Sequence, residues 1–199
     1  MIEGKGMKNW CSTFAFLIII GAATGCSIKH PVMKDYPQYL EKHGKEGNLP
    51  TTELKSNYSI EGKTQTHRYE FRAATVGYAH LWIVEFGEIL DETLNAPYVQ
   101  SSFGELTKAS AEIEGLGSNI KFTLNNYEFK NYRAYVSMNI ILLNDGKELL
   151  NKNYNSEGAS KGGQMWIAGP FGMKNATLDS TKIAIDKILT QFIKDIPKT

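Results

Sequence analysis

The chain is poor in the residues that make chemistry easy to recognise. Its 199 residues hold two cysteines, Cys11 and Cys26, and four histidines, His30, His43, His67 and His80. If Cys11 leaves with a processed leader and Cys26 is consumed by modification, the folded part has no thiol. That excludes disulfide staples, cysteine nucleophiles and thiolate metal sites. The histidines show no H-x-x-x-H spacing, and no paired acidic motif accompanies them, so no metal is expected. A phosphate-cradling glycine loop is missing. Charge of one sign is missing too: 22 Lys and Arg stand against 21 Asp and Glu. No long-range field draws such a chain to nucleic acid or to anionic lipid.

What is present begins with residues 7–26, MKNWCSTFAFLIIIGAATGC. Lys5 and Lys8 form a positive head, residues 14–20 an apolar run, and residues 21–25 a small-residue stretch that a signal peptidase can grip. The apolar part is about a dozen residues, against the roughly 20 that span a bilayer. A leader of this kind is processing information, and residues 1–25 are assigned to it. Ala23-Thr24-Gly25-Cys26 resembles the bacterial lipobox, with Ala23 where that family usually carries Leu. The resemblance implies that Cys26 is acylated and becomes the first residue of the mature chain. A plain secretory signal cut near Ala23 is the rival, and it leaves Cys26 unexplained. Translation can begin at Met1 or Met7. Removing residues 1–25 takes away Glu3, Lys5 and Lys8, which leaves a side-chain charge of zero.

Residues 26–62 read as the acylated cysteine and a flexible tether. They contain Pro31, Pro37, Gly44 and Gly47 with no sustained apolar period, apart from one short helical turn near Tyr36. Residues 63–199 read as one α+β domain. Tyr69, Phe71, Ala73 and Thr75 alternate with Arg68, Glu70 and Arg72, as in a half-buried strand. Trp82, Phe86, Ile89, Leu90 and Leu94 recur at three- and four-residue steps, which predicts a helix over 78–94. Pro97 ends it. Residues 101–106 suit a short strand. Ile120, Phe122 and Leu124 alternate, and after Asn125-Asn126 the apolar phase slips by one to Tyr127 and Phe129, which predicts a bulge. Tyr132, Ala134, Val136, Met138, Ile140 and Leu142 then face one way. Asn144-Asp145-Gly146 is a hairpin signal. Leu178, Ile185, Ile188, Leu189, Phe192 and Ile196 predict a C-terminal helix over 177–195.

These elements predict a two-layer α+β sandwich: a mainly antiparallel sheet of about four or five strands with two amphipathic helices on one face. With the lipobox at Cys26, the helix near Trp82, the strand pair around Asn144-Asp145-Gly146 and the final helix, the chain resembles the small Gram-negative envelope lipoproteins of the YajG-like and ABC-transport auxiliary type. The likeness is one of element pattern over 66–196. It implies an anchored accessory protein, not an enzyme, and carries over no binding residue. Ser27 after the cysteine implies, by the family's sorting rule, the outer membrane, periplasmic side.

Three functions are therefore set out. The first is a non-catalytic accessory or assembly module of an envelope complex, held by acyl chains in the membrane and contacting a protein partner. The second is a carrier of a lipid or other apolar ligand between helices and sheet. The third is a hydrolase with an unrecognised motif. No cofactor is expected, and the oligomeric state stays open. Glu85, Glu88 and Glu92 read as a solvated helix face, and Tyr127, Phe129, Tyr132 and Tyr135 as core or cross-strand pairs. Residues 162–173 stand apart, a glycine-rich loop carrying Met165, Trp166, Ile167 and Phe171. Those side chains either fold back as a further strand over 165–168 or form a partner or ligand contact.

Overall fold

The computed structural model describes residues 27–44, 49–109, 117–159 and 165–197, with residues 165–167 described by backbone alone. In chain order the elements are β1 (Ile28–Pro31), α1 (Tyr36–His43), β2 (Lys55–Ile60), β3 (Arg68–Phe71), β4 (His80–Glu85), α2 (Phe86–Asn95), β5 (Glu105–Lys108), β6 (Ser118–Lys130), β7 (Arg133–Asn144), β8 (Lys147–Glu157) and α3 (Met165–Asp195). The class is α+β. The strands form two sheets where one was expected: five strands in the order β5-β2-β6-β7-β8 and three in the order β1-β4-β3. The long β6-β7-β8 meander and the β3-β4 pair are antiparallel, as expected, but β1 with β4, and β2 with both β5 and β6, run parallel.

The extra strands come from the stretch read as a tether. Residues 28–31 and 55–60 are paired into sheets, and the helical turn around Tyr36 is a full helix. Val32 before the helix and Tyr36 and Leu40 within it recur every four residues and are buried, an inward stripe that Pro37 and the neighbouring charges conceal. The helix expected over 78–94 is two elements. Trp82, Ile83 and Val84 form an unbroken buried run in the middle strand of the small sheet, covered on both faces, and the chain turns helical only at Phe86. Phe86 falls four residues after Trp82, so strand and helix together imitate one helical stripe.

The meander follows the pattern closely. Its register shifts between Leu124 and Asn126, where the apolar phase slips. Asp145 and Gly146 both have positive φ, 50° and 75°, as a primed two-residue turn requires. Tyr132 belongs to the other turn, with φ 61°, and not to β7. α3 lies over the apolar face of this meander. Ile185, Ile188, Leu189 and Phe192 bury against Ile120, Phe122, Met138 and Ile140, with Phe192 meeting Phe122 at 6.4 Å and Tyr154 at 6.3 Å. Each such side chain contributes about 1.5–3 kcal/mol by leaving water. Aromatic contacts join the two sheets, Phe71 to Phe129 at 4.8 Å and Tyr69 to Tyr127 at 5.3 Å, so both share one core. Among the described residues no helix is long and apolar enough to cross a membrane.

Candidate functional site

The stretch expected as a loop with Met165, Trp166, Ile167 and Phe171 is the beginning of α3. Its backbone is helical from Met165 and kinks at Gly169, whose φ of 53° and ψ of −132° suit glycine alone. Pro170 follows, and its fixed φ restarts the helix. The strand reading of 165–168 is thereby corrected, since Gly169, which looked like loop punctuation, marks a kink; residues 162–164 of the expected loop lie outside the described residues. Phe171 stands 72% exposed on the far side of that kink. The side chains of Met165, Trp166 and Ile167, and the whole of Cys26, lie outside the described residues.

Beside Phe171 the kinked start of α3 and the flank of α1 enclose a cleft of about 350 Å³. Asp35, Tyr39, Lys42 and His43 line it from the α1 side, and Gly172 and Asp179 from α3. Tyr39 stacks on His43 with ring centroids 4.6 Å apart and donates its hydroxyl to Asp179 Oδ1 at 2.5 Å. Asp179 Oδ2 is buried with no partner, which leaves an acceptor for an incoming N–H or O–H group. Lys174 forms an ion pair with Asp35 across the rim. The lining thus mixes charged and polar side chains with apolar ones, Ala176 and Leu178 among them. A second cleft, about 300 Å³, lies on the opposite flank of α1, where Pro37, Leu40, Ala96 and Tyr98 make a more apolar lining.

Neither cleft was legible from the candidate residues. Both depend on α1, whose only sequence signal is the four-residue recurrence of Val32, Tyr36 and Leu40. Of the histidines, His80 lies in β4 and meets His30: His30 Nε2 and His80 Nδ1 are 2.7 Å apart, the rings stack, and Trp82 lies 5.5 Å from His30. Burial, then the neighbouring His80 and Lys174, lower the pKa of His30. His67 packs edge-on against Phe86 with Nε2 buried, and burial lowers its pKa as well. Among the described residues no three His, Cys, Asp or Glu side chains converge as a metal site would need.

Of the acidic trio, Glu85 ends β4 rather than riding on the helix, and burial raises its pKa first, with Glu88 adding repulsion. Tyr127 and Phe129 are core, Tyr132 bonds Thr75, and Lys130 sits over the Tyr135 ring at 5.0 Å.

No family model and no curated protein matches the chain. Among solved structures, the crystal structure of protein XCC0632 from Xanthomonas campestris, described by the family model DUF330, is similar with a TM-score of 0.47 at 12% sequence identity. The match covers 73% of this chain and 84% of that one.

Proposed function

We propose that this chain is a bacterial envelope lipoprotein, fixed through acyl chains on Cys26 to the periplasmic side of the outer membrane. There it serves as a non-catalytic accessory or assembly module of the YajG-like, ABC-transport auxiliary kind, with the amphipathic helices α2 and α3 as its helical layer. The observation that carries the reading is the order of residues 5–26: charge, apolar run, small residues, cysteine. Two or more acyl chains, at about 0.8 kcal/mol per buried methylene, hold such a domain for long periods. The exposed Phe171, next in the chain to Gly172 of the cleft wall, supports a protein partner, since aromatic side chains are enriched at protein interfaces.

The test is a crosslinking pull-down from intact cells, made with the natural chain and with Cys26→Ala, alongside the mass of the mature N-terminus. Acyl mass at Cys26, and an envelope protein captured only by the natural chain, is the expected outcome. A mature N-terminus without acyl mass overturns the anchor, and equal capture by both chains overturns its role in partner access.

A carrier function draws on a different observation, the apolar cleft flanking α1. The space between helices and sheet, where an apolar ligand was expected, is filled by Phe122, Met138 and Phe192. At about 300 Å³ the α1 cleft is at the small end of ligand pockets. Lipid extracted from the purified protein, and lost with Ala96→Trp, would favour it.

A further inference from the structure

Only Ser27 separates Cys26 from the first strand. Ile28 donates its N–H to Ala79 O at 2.8 Å and opens β1 in register with His80. Two residues span at most about 7 Å of chain. The headgroup layer of a bilayer is about 5–8 Å deep on each side. An acylated Cys26 therefore leaves no room for a tether, and the surface around Ile28 must lie against the lipid headgroups.

The side chains there suit that position. Ile28 is 50% exposed and Tyr78 70% exposed, two of the few large apolar side chains left in solvent. Arg72 ties Tyr78 to Ser27, the neighbour of Ile28, donating to Tyr78 O and, at 3.0 Å, to Ser27 Oγ. A guanidinium has five N–H donors, so this one keeps capacity for a phosphate. Residues 27–34 and 71–84, which build this edge, contain no Asp or Glu, while Lys29, Lys34 and Arg72 are present. Tyrosine is the residue whose apolar ring and polar tip match a membrane interface.

We propose that Ile28, Arg72 and Tyr78 form a membrane-resting surface. Tyr78 and Ile28 seat in the headgroup layer of the leaflet that holds the acyl chains, and Arg72 faces a lipid phosphate. The domain is thereby held in one orientation on the bilayer instead of swinging from a linker. This rests on the acylation of Cys26.

The mature chain has no cysteine beyond Cys26, so a single introduced thiol takes a dye at one place. Full-length Tyr78→Cys and Ile28→Cys chains, matured in cells, labelled with an environment-sensitive fluorophore and reconstituted in phosphatidylethanolamine–phosphatidylglycerol vesicles, are compared with Leu149→Cys on the edge strand of the other sheet. The expected result is acyl mass at Cys26, a blue shift and quenching by spin-labelled lipid at positions 78 and 28, and a water-like dye at 149. Acyl mass with water-like dye at 78 and 28 overturns the surface and leaves the lipoprotein reading standing. Absence of acyl mass overturns both. Because positions 28 and 78 lie in different elements, misfolding of one variant, seen by circular dichroism, leaves the other to decide.

Discussion

Tyr98 donates its hydroxyl to Asp186 Oδ1 at 2.7 Å while Lys182 Nζ reaches Oδ2 of the same carboxylate at 2.6 Å. The Lys182 side chain is only 5% exposed, and its ammonium lies 4.7 Å from the centre of the Tyr98 ring. One helix thus presents a buried ion pair to a turn far away in sequence, and both charges depend on each other. Asp186→Leu alone should lower unfolding stability by about 3–5 kcal/mol, because it strands a buried ammonium. Lys182→Met with Asp186→Leu should recover more than half of that loss in urea denaturation. A double variant no more stable than the single one would show that the pair is not what costs.

The same helix is addressed by tyrosines along its length. Tyr39 bonds Asp179, Tyr127 bonds Thr181, Tyr98 bonds Asp186 and Tyr154 bonds Asp195. Burial is the first cause raising the pKa of Tyr36, Tyr58, Tyr98, Tyr127 and Tyr154 above the ordinary value of 10.0. In the folded state these hydroxyls keep their protons where the unfolded chain has lost them. Their stabilisation is therefore fully present below about pH 10 and is lost as pH rises beyond it. Absorbance at 295 nm should show these tyrosines ionising in one cooperative step that coincides with loss of circular dichroism. Gradual ionisation in a still-folded protein would contradict the burial.

Gly158 is needed for a different reason. Its N–H donates to Ala134 O at 2.8 Å, and Ser180 Oγ accepts from Ala134 N–H at 2.8 Å, so the exit of β8, the start of β7 and α3 meet at one point. A methyl on Gly158 would fall inside contact distance of the Ser180 carbonyl and hydroxyl oxygens. Gly158→Ala should cost about 1–3 kcal/mol or more, since backbone on both sides has to give way. Gly62→Ala, where nothing stands within 4 Å, should melt close to the natural protein.

How much of this was legible depended on whether local pattern and tertiary context agreed. The meander from Ile120 to Leu142 was, because alternation, the slip at Asn125 and the Asp145-Gly146 turn all point to one register. The strand holding Trp82 was not, because a strand buried on both faces loses its alternation, and Phe86 continues its spacing into a helix. β1 and β2 were hidden by polar sequence, since their pairing is parallel and distant, with partners at residues 80–83 and 105–122. The exposed aromatic at the candidate site was visible as Phe171. The cleft beside it was not, because nothing local announces that residues 35–43 pack next to residues 168–179.

Phe171 offers the clearest separation of packing from recognition. It is 72% exposed, whereas Met173, two residues on, is 1% exposed and part of the core. Met173→Ser should lower stability by about 2–5 kcal/mol through the cavity it opens and the hydroxyl it buries. Phe171→Ser should change stability by no more than about 0.5 kcal/mol, as surface substitutions do. If a partner docks on the exposed ring at this end of α3, the same Phe171→Ser chain should lose most of its crosslinked partner in intact cells while melting normally. A melting temperature that falls as far as that of Met173→Ser would instead place the ring in a packed position. Full partner capture with Phe171→Ser would move the docking surface away from this end of α3.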